Sequence, residues 1–181
     1  MSNYRRMFLE GTPYFITLVT FKRRSLLIDY ISLLRKSFEY VSNINKFEII
    51  AFVILPDHLH MLIKPEDFKK YPDIIRQIKT YFTKHIDNNI KKNVEKDLTA
   101  SQLRKGEKGI WQRRYYEHTI RNIKDLNKHI DYIHYNPVKH DLVKCVREWD
   151  YSSFTDFVKN GIYDINWGSG NINDISGLDY E

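Results

Sequence analysis

The stretch EIIAFVILPDHLHMLIKP, residues 48–65, sets the framework for the whole chain. It holds two apolar runs of strand length, one stopped by Pro56 and the other by Pro65, and proline cannot donate to a sheet ladder. The Pro56-Asp57 junction between them reads as a tight hairpin. In the second run His58 and His60 stand two apart. A strand therefore points both imidazoles to one face and turns Leu59 to the other, into the core.

Upstream, YFITLVTFKRR (Tyr14 to Arg24) is rich in aromatic and β-branched residues and reads as a strand with a basic end. DYISLLRKSFEYVSNIN (Asp29 to Asn45) places Ile31, Leu34, Phe38 and Val41 at helical spacing. Downstream, Pro72 to Ile90 predicts a second amphipathic helix with Pro72 in its first turn. Ile74, Ile78, Tyr81, Phe82 and Ile86 would face the core, and Arg76, Lys79 and Lys84 the solvent. Lys91 to Lys108 is polar and charged and reads as a mobile loop. Gly109 to Ile120 alternates as a strand does. Residues 123–143, IKDLNKHIDYIHYNPVKHDLV, contain a helix expected to stop near Asn136, because Pro137 disfavours helix at the residue before it. A short amphipathic piece and a Gly/Asn/Asp-rich tail follow. The order β-α-β-β-α-β-α predicts an α+β fold. It is a ferredoxin-like β-α-β-β-α-β sandwich with an added C-terminal helix bearing Tyr132 and an irregular acidic tail. The expected division is a body of residues 1–149 and an extension of residues 150–181.

At 181 residues and 42% hydrophobic, the chain is long and apolar enough to bury one good core. Its single cysteine, Cys145, excludes an intramolecular disulfide and a cysteine-based zinc site. The N-terminus has no sustained apolar segment, and the longest apolar run, Ile49 to Pro56, is too short to cross a bilayer. The expectation is a soluble cytoplasmic protein with no membrane partner. Six acids and one lysine from Asp150 onward leave that segment at −5 of a total of +6, so the first 149 residues carry +11. A basic body suggests a polyanion partner, and the acidic tail a competitor for the same surface; a solvated charge asymmetry is the plainer alternative.

The His pair suits a divalent ion, and hard ions also want oxygen ligands. Tyr132 and Asn136 stand four apart and share one helix face. The Asn136 amide oxygen would complete a set that leaves positions open for phosphate oxygens. Such an ion would polarise a phosphoryl group and stabilise a leaving oxygen. Tyr132 is the candidate nucleophile; a phenol is weak at neutral pH and needs a metal or a cation beside it. Against this stands the reading of His58 and His60 as ordinary half-exposed strand residues and of Tyr132 as packing. Asp57 reads as the turn residue, with metal ligation the alternative. His118, His129, His134 and His140 read as surface residues. Arg5, Arg6, Lys22, Arg23, Arg24, Arg113, Arg114 and Arg121 lie near strand ends and aromatics, as phosphate contacts or as a solvated face. Two functions outside strand chemistry stay open: a non-catalytic binder or repressor of structured single-stranded nucleic acid, and a His-based zinc hydrolase that lacks an evident third ligand.

LPDHLHMLI resembles the His-hydrophobic-His signature of the HUH single-tyrosine transposases. SNYRR at the start, GIWQRRYYEHTIRN and DYIHYNPVKHDLV are together similar to the REP-associated tyrosine transposases of bacteria, over the chain up to about Trp167. The resemblance implies a ferredoxin-like core and Mg²⁺ or Mn²⁺ held by His58, His60 and Asn136. It implies that Tyr132 attacks a phosphodiester of single-stranded DNA, leaving a 5′-phosphotyrosine link and a 3′-OH that later attacks that link. The implied substrate is an imperfect-palindrome hairpin with a short flanking guide, met in the cytoplasm at the nucleoid. The implied assembly is a monomer or a homodimer, and the implied role of the tail is to restrain the site. Many members of the wider family carry Gln where this chain has Asn136, an amide shorter by one C–C bond, ~1.5 Å.

Overall fold

The structure, a computed structural model, describes residues 9–169. Arg5 and Arg6 lie outside the described residues, as do Asp174, Asp179 and Glu181 of the acidic tail. Four strands form one antiparallel sheet: β1 (Tyr14–Val19), β2 (Phe47–Ile54), β3 (His58–Pro65) and β4 (Tyr116–Thr119), in the order β2-β3-β1-β4. The hairpin is as expected: Leu55 N–H donates to the His58 carbonyl at 2.8 Å across Pro56 and Asp57. The Pro56 and Asp57 carbonyls stay occupied. Leu26 N and Leu27 N donate to the first, and Thr20 N to the second.

Side-chain alternation along β1 and β3 divides the interior into two cores. Tyr14, Ile16 and Leu18 of β1, with Leu59, Met61 and Ile63 of β3, face helices α1 (Ile31–Ile44) and α2 (Tyr71–His85). Leu34 and Val41 of α1 and Ile74, Ile78 and Phe82 of α2 are fully buried there. Phe15 and Leu62 point the other way, against Ile130, Tyr132 and Ile133 of helix α5 (Ile123–Lys139). At roughly 1.5–3 kcal/mol for each large apolar side chain buried, both layers are substantial. Within α2, Ile75 is buried and Tyr81 is only half-buried, stacked beside Tyr40 with ring centroids 4.6 Å apart.

The structure corrects several sequence expectations. The first strand ends at Val19, because Phe21–Arg23 turn off the sheet, with Lys22 and Arg23 at positive φ. The second helix stops at His85. Ile86 is extended, and the Asp87 carboxylate accepts from Asn89 N at 2.6 Å to start α3 (Asn88–Glu95). The expected loop of residues 91–108 is thus partly helical, and α4 (Ala100–Arg104) follows a Thr99/Gln102 capping box. Of the strand expected over 109–120, only Tyr116–Thr119 joins the sheet; Trp111 makes an isolated bridge to Thr20. Helix α5 runs three residues past Asn136. Pro137 cannot supply the N–H that would bond the Ile133 carbonyl, yet the helix continues, and His140 N still closes on the Asn136 carbonyl at 3.0 Å. Beyond it, Trp149 Nε1 donates to Ile54 O at 3.0 Å and Ser153 N to Phe52 O at 3.0 Å, which seats the start of the extension along β2. Helix α6 (Phe154–Lys159), Tyr163 and Trp167 then lie over α5.

Candidate active site

His58 and His60 project from the face of β3 that meets α5, and their ring centroids are 5.0 Å apart. Both are buried, 1% and 0% exposed, rather than half-exposed. Each imidazole has a fixed partner for Nδ1. His58 Nδ1 lies 2.6 Å from Asp57 Oδ1, and His60 Nδ1 lies 2.8 Å from Thr17 Oγ1, its cross-strand neighbour. A carboxylate only accepts, so His58 donates from Nδ1, and in the neutral imidazole the lone pair then lies on Nε2. Burial works to raise the Asp57 carboxyl. The hydrogen bond and charge of His58, joined by Arg23 at 3.2 Å, hold it below the usual carboxylate value. Asp57 is therefore the turn residue expected and also an oxygen that orients a histidine, the arrangement common behind metal-bound imidazoles.

Helix α5 brings Tyr132 and Asn136 to the same face. Asn122 caps its start, accepting from Asp125 N at 2.9 Å, and buried positions 129, 132, 133 and 136 form its inward stripe. The Tyr132 ring lies 5.2 Å from that of His60 and 6.0 Å from that of Phe15, edge-on to both. Asn136 is fully buried, and neither amide atom has a hydrogen-bond partner among the described residues. An unbonded buried amide is unfavourable by about 1–3 kcal/mol, so this side chain is configured for something other than packing. Two imidazoles with Nδ1 fixed and one amide oxygen are donors of the kind that could hold a divalent ion.

Sequence reasoning passed over Lys139, Thr17 and Phe15 here and read His140 as a surface residue. Lys139 Nζ donates to Tyr132 Oη at 3.3 Å and lies 5.0 Å from the ring centroid. The His140 ring is 5.0 Å from that of His58. Thr17 and Phe15 complete the surround, and only their alternation in β1 could have placed them.

The four histidines expected at the surface do not all lie there. His134 is fully buried among Phe154, Phe157 and Tyr163; burial pushes its pKa down to about 3, and Ser153 Oγ holds Nε2 at 2.8 Å. His129 is also fully buried, which lowers its pKa, and it stacks on half-buried His118 at 4.6 Å. His118, His129 and Asp125 form a group whose ligand-type atoms lie within 4.8 Å of one another, a possible metal-binding set separate from His58 and His60. As it stands it fastens β4 to α5, with His118 Nε2 2.9 Å from Asp125 Oδ2.

Lys22 and Arg24 flank Asp97, and Arg23 pairs with Asp57. Arg113, Arg114 and Arg121 are exposed.

The sheet thus carries two buried histidines and is faced by a helix carrying a buried tyrosine and a buried amide. Residues 9–136 match the model of the IS200-like transposases, and the chain belongs to that family. Within it, the chain is 44% identical to a REP-associated tyrosine transposase of Haemophilus influenzae, over 93% of this chain and 94% of that one. It is 38% identical to the REP-associated tyrosine transposase of Escherichia coli K12, over 97% and 96% of the two chains. Among solved structures it resembles a REP-associated tyrosine transposase bound to a REP hairpin, with 35% identity, a TM-score of 0.78, and coverage of 99% of this chain and 96% of that one. No helix among the described residues is long and apolar enough to cross a membrane.

Proposed function

We propose that this chain cleaves and rejoins single-stranded DNA next to a REP-like hairpin, with Tyr132 as nucleophile. What supports the reading is that the His60 ring lies 5.0 Å from that of His58 and 5.2 Å from that of Tyr132, with Asn136, buried and unbonded, one turn further along α5. Mg²⁺ or Mn²⁺ held by His58, His60 and Asn136 would polarise the phosphoryl group and stabilise the departing oxygen. Tyr132 Oη attacks phosphorus, the P–O3′ bond breaks, and the products are a 5′-phosphotyrosine and a free 3′-OH; the 3′-OH reverses the step to rejoin strands. Lys139 places a positive charge at the phenol oxygen, the atom that must shed its proton. Thr17 and Asp57 fix the two imidazoles before substrate arrives. The strand order β2-β3-β1-β4, with helices after β1 and β3, supports the ferredoxin-like description of residues 1–149, with 150–181 as an extension. On this reading the partner is hairpin or single-stranded DNA at the nucleoid, the protein works as a monomer or homodimer, and exposed Arg113, Arg114 and Arg121 meet phosphates.

The test is a denaturing protein gel after incubation with end-labelled single-stranded hairpin DNA and Mn²⁺. A covalent adduct is expected for the wild type and none for Tyr132→Phe. An adduct that persists in the variant refutes the assignment. Full burial of the phenol favours one other reading, a non-catalytic DNA binder, since a covered nucleophile must be uncovered before it reacts. Salt-dependent binding with no adduct under any metal condition would select it.

A further inference from the structure

We propose that the groove between α2, α3 and α4, on the side of the sheet away from Tyr132, binds the phosphodiester backbone of nucleic acid. The inference rests on the DNA reading above and adds a second contact region to it. The groove has a volume of about 790 Å³. Five cationic side chains line it, Lys79, Lys84, Lys91, Lys108 and Arg113, against the carboxylates of Glu95 and Glu107. A concave, partly apolar surface of one dominant sign focuses potential and gathers anions. Lys84, Lys108 and Arg113 are exposed, and none is ion-paired among the described residues, in contrast to Lys22 and Arg24 beside Asp97. Trp111, only 7% exposed, also lines the groove; its Nε1–H is buried with no acceptor among the described residues, and an oxygen-rich ligand would supply one.

The rim is built, not incidental. Lys79 Nζ donates to the carbonyls of Gln112 at 2.7 Å and Arg113 at 3.3 Å, and Gln112 N donates to Val19 O at 2.9 Å, fastening the rim to the end of β1. Helix α2 belongs to the core opposite the one that holds Tyr132. A segment lying in the groove is therefore not the scissile segment at that moment. The same backbone chemistry has two sources in such a substrate, a duplex stem or a single-stranded flank.

Binding is measured on the full-length Tyr132→Phe chain, so that no covalent step intervenes and a failure of the nuclease reading leaves this test intact. Fluorescence anisotropy follows a labelled blunt hairpin and, separately, an unstructured oligodeoxynucleotide, across a series of KCl concentrations. Adding Lys84→Gln and Lys108→Gln is expected to weaken binding several-fold and lower the salt slope by about 1.8 for duplex or about 1.4 for single strands. Each phosphate contact contributes about 0.9 for duplex and about 0.7 for single strands. A loss confined to the hairpin assigns the groove to the stem, and one confined to the oligonucleotide assigns it to the flank; either supports the proposal. Lys92→Gln, an exposed lysine on α3 outside the groove, is the control for net charge. Unchanged slopes and affinities for both probes, or an equal loss per charge in Lys92→Gln, would overturn it.

Discussion

Asp57→Asn separates orientation from charge at the candidate metal site. Asn keeps an oxygen within reach of His58 Nδ1, now 2.6 Å from the carboxylate, but removes the negative charge. Hydrogen bonds to charged groups contribute about 1.5–3 kcal/mol and neutral ones about 0.5–1.5, so the substitution removes roughly 1–1.5 kcal/mol of support for His58. At ~1.4 kcal/mol per decade, divalent binding should weaken about five- to twelvefold, short of the ~10–100-fold typical when such a partner is lost outright. The fold should tolerate it. The Asp57 main-chain carbonyl still accepts from Thr20 N at 2.8 Å and from Thr20 Oγ1 at 2.9 Å, and Asn suits a turn. Arg23, 43% exposed, loses a partner that contributes at most about 1 kcal/mol in water. Mn²⁺ titration monitored by electron paramagnetic resonance of the free ion gives the affinity, and metal-free thermal unfolding checks the fold. A Kd within twofold of wild type for both Asp57→Asn and Asp57→Ala would refute the reasoning.

Thr17→Val keeps the volume but deletes the hydroxyl at His60 Nδ1; Mn²⁺ affinity should fall about tenfold or more and stability by about 1–3 kcal/mol, read by titration and urea unfolding. Asn136→Leu should abolish the covalent adduct yet raise stability, because it removes an unbonded buried amide; a gain of about 1–3 kcal/mol corresponds to roughly 2–4 °C of Tm for each kcal/mol, and a lower Tm contradicts the idea. Burial lowers the Lys79 ammonium to about 8. With its unfolded value at about 10.4, the folded state releases this proton first, so stability should rise as pH climbs from about 8 to about 10, by roughly 2 kcal/mol, and Lys79→Met should flatten that rise in urea midpoints.

Where the pattern was periodic and bounded, the sequence was readable. The hairpin at Pro56-Asp57 and the inward faces of α1 and α2 follow from prolines and apolar spacing alone. The candidate site was half readable. His58 and His60 share a face by strand period, and Tyr132 and Asn136 by helical period, but nothing local says which side of the sheet α5 covers. What was missed depends on capping and tertiary contact. Asp87 and the Thr99/Gln102 box make helices out of a charged segment whose composition suggests a loop. Pro137 suggests a stop near Asn136, but α5 continues to Lys139, with His140 N closing on the Asn136 carbonyl. His129 and His134 look like surface residues until α6 and β4 close over them.

The division of β1 between two interiors makes length, not composition, its least forgiving property. Inserting or deleting one codon within residues 14–19 would exchange the inward sets of both layers at once and remove Thr17 from opposite His60. A scan of single-codon indels should therefore find this strand barren, while the same lesions in the stretch that joins α3 to α4 leave expression intact.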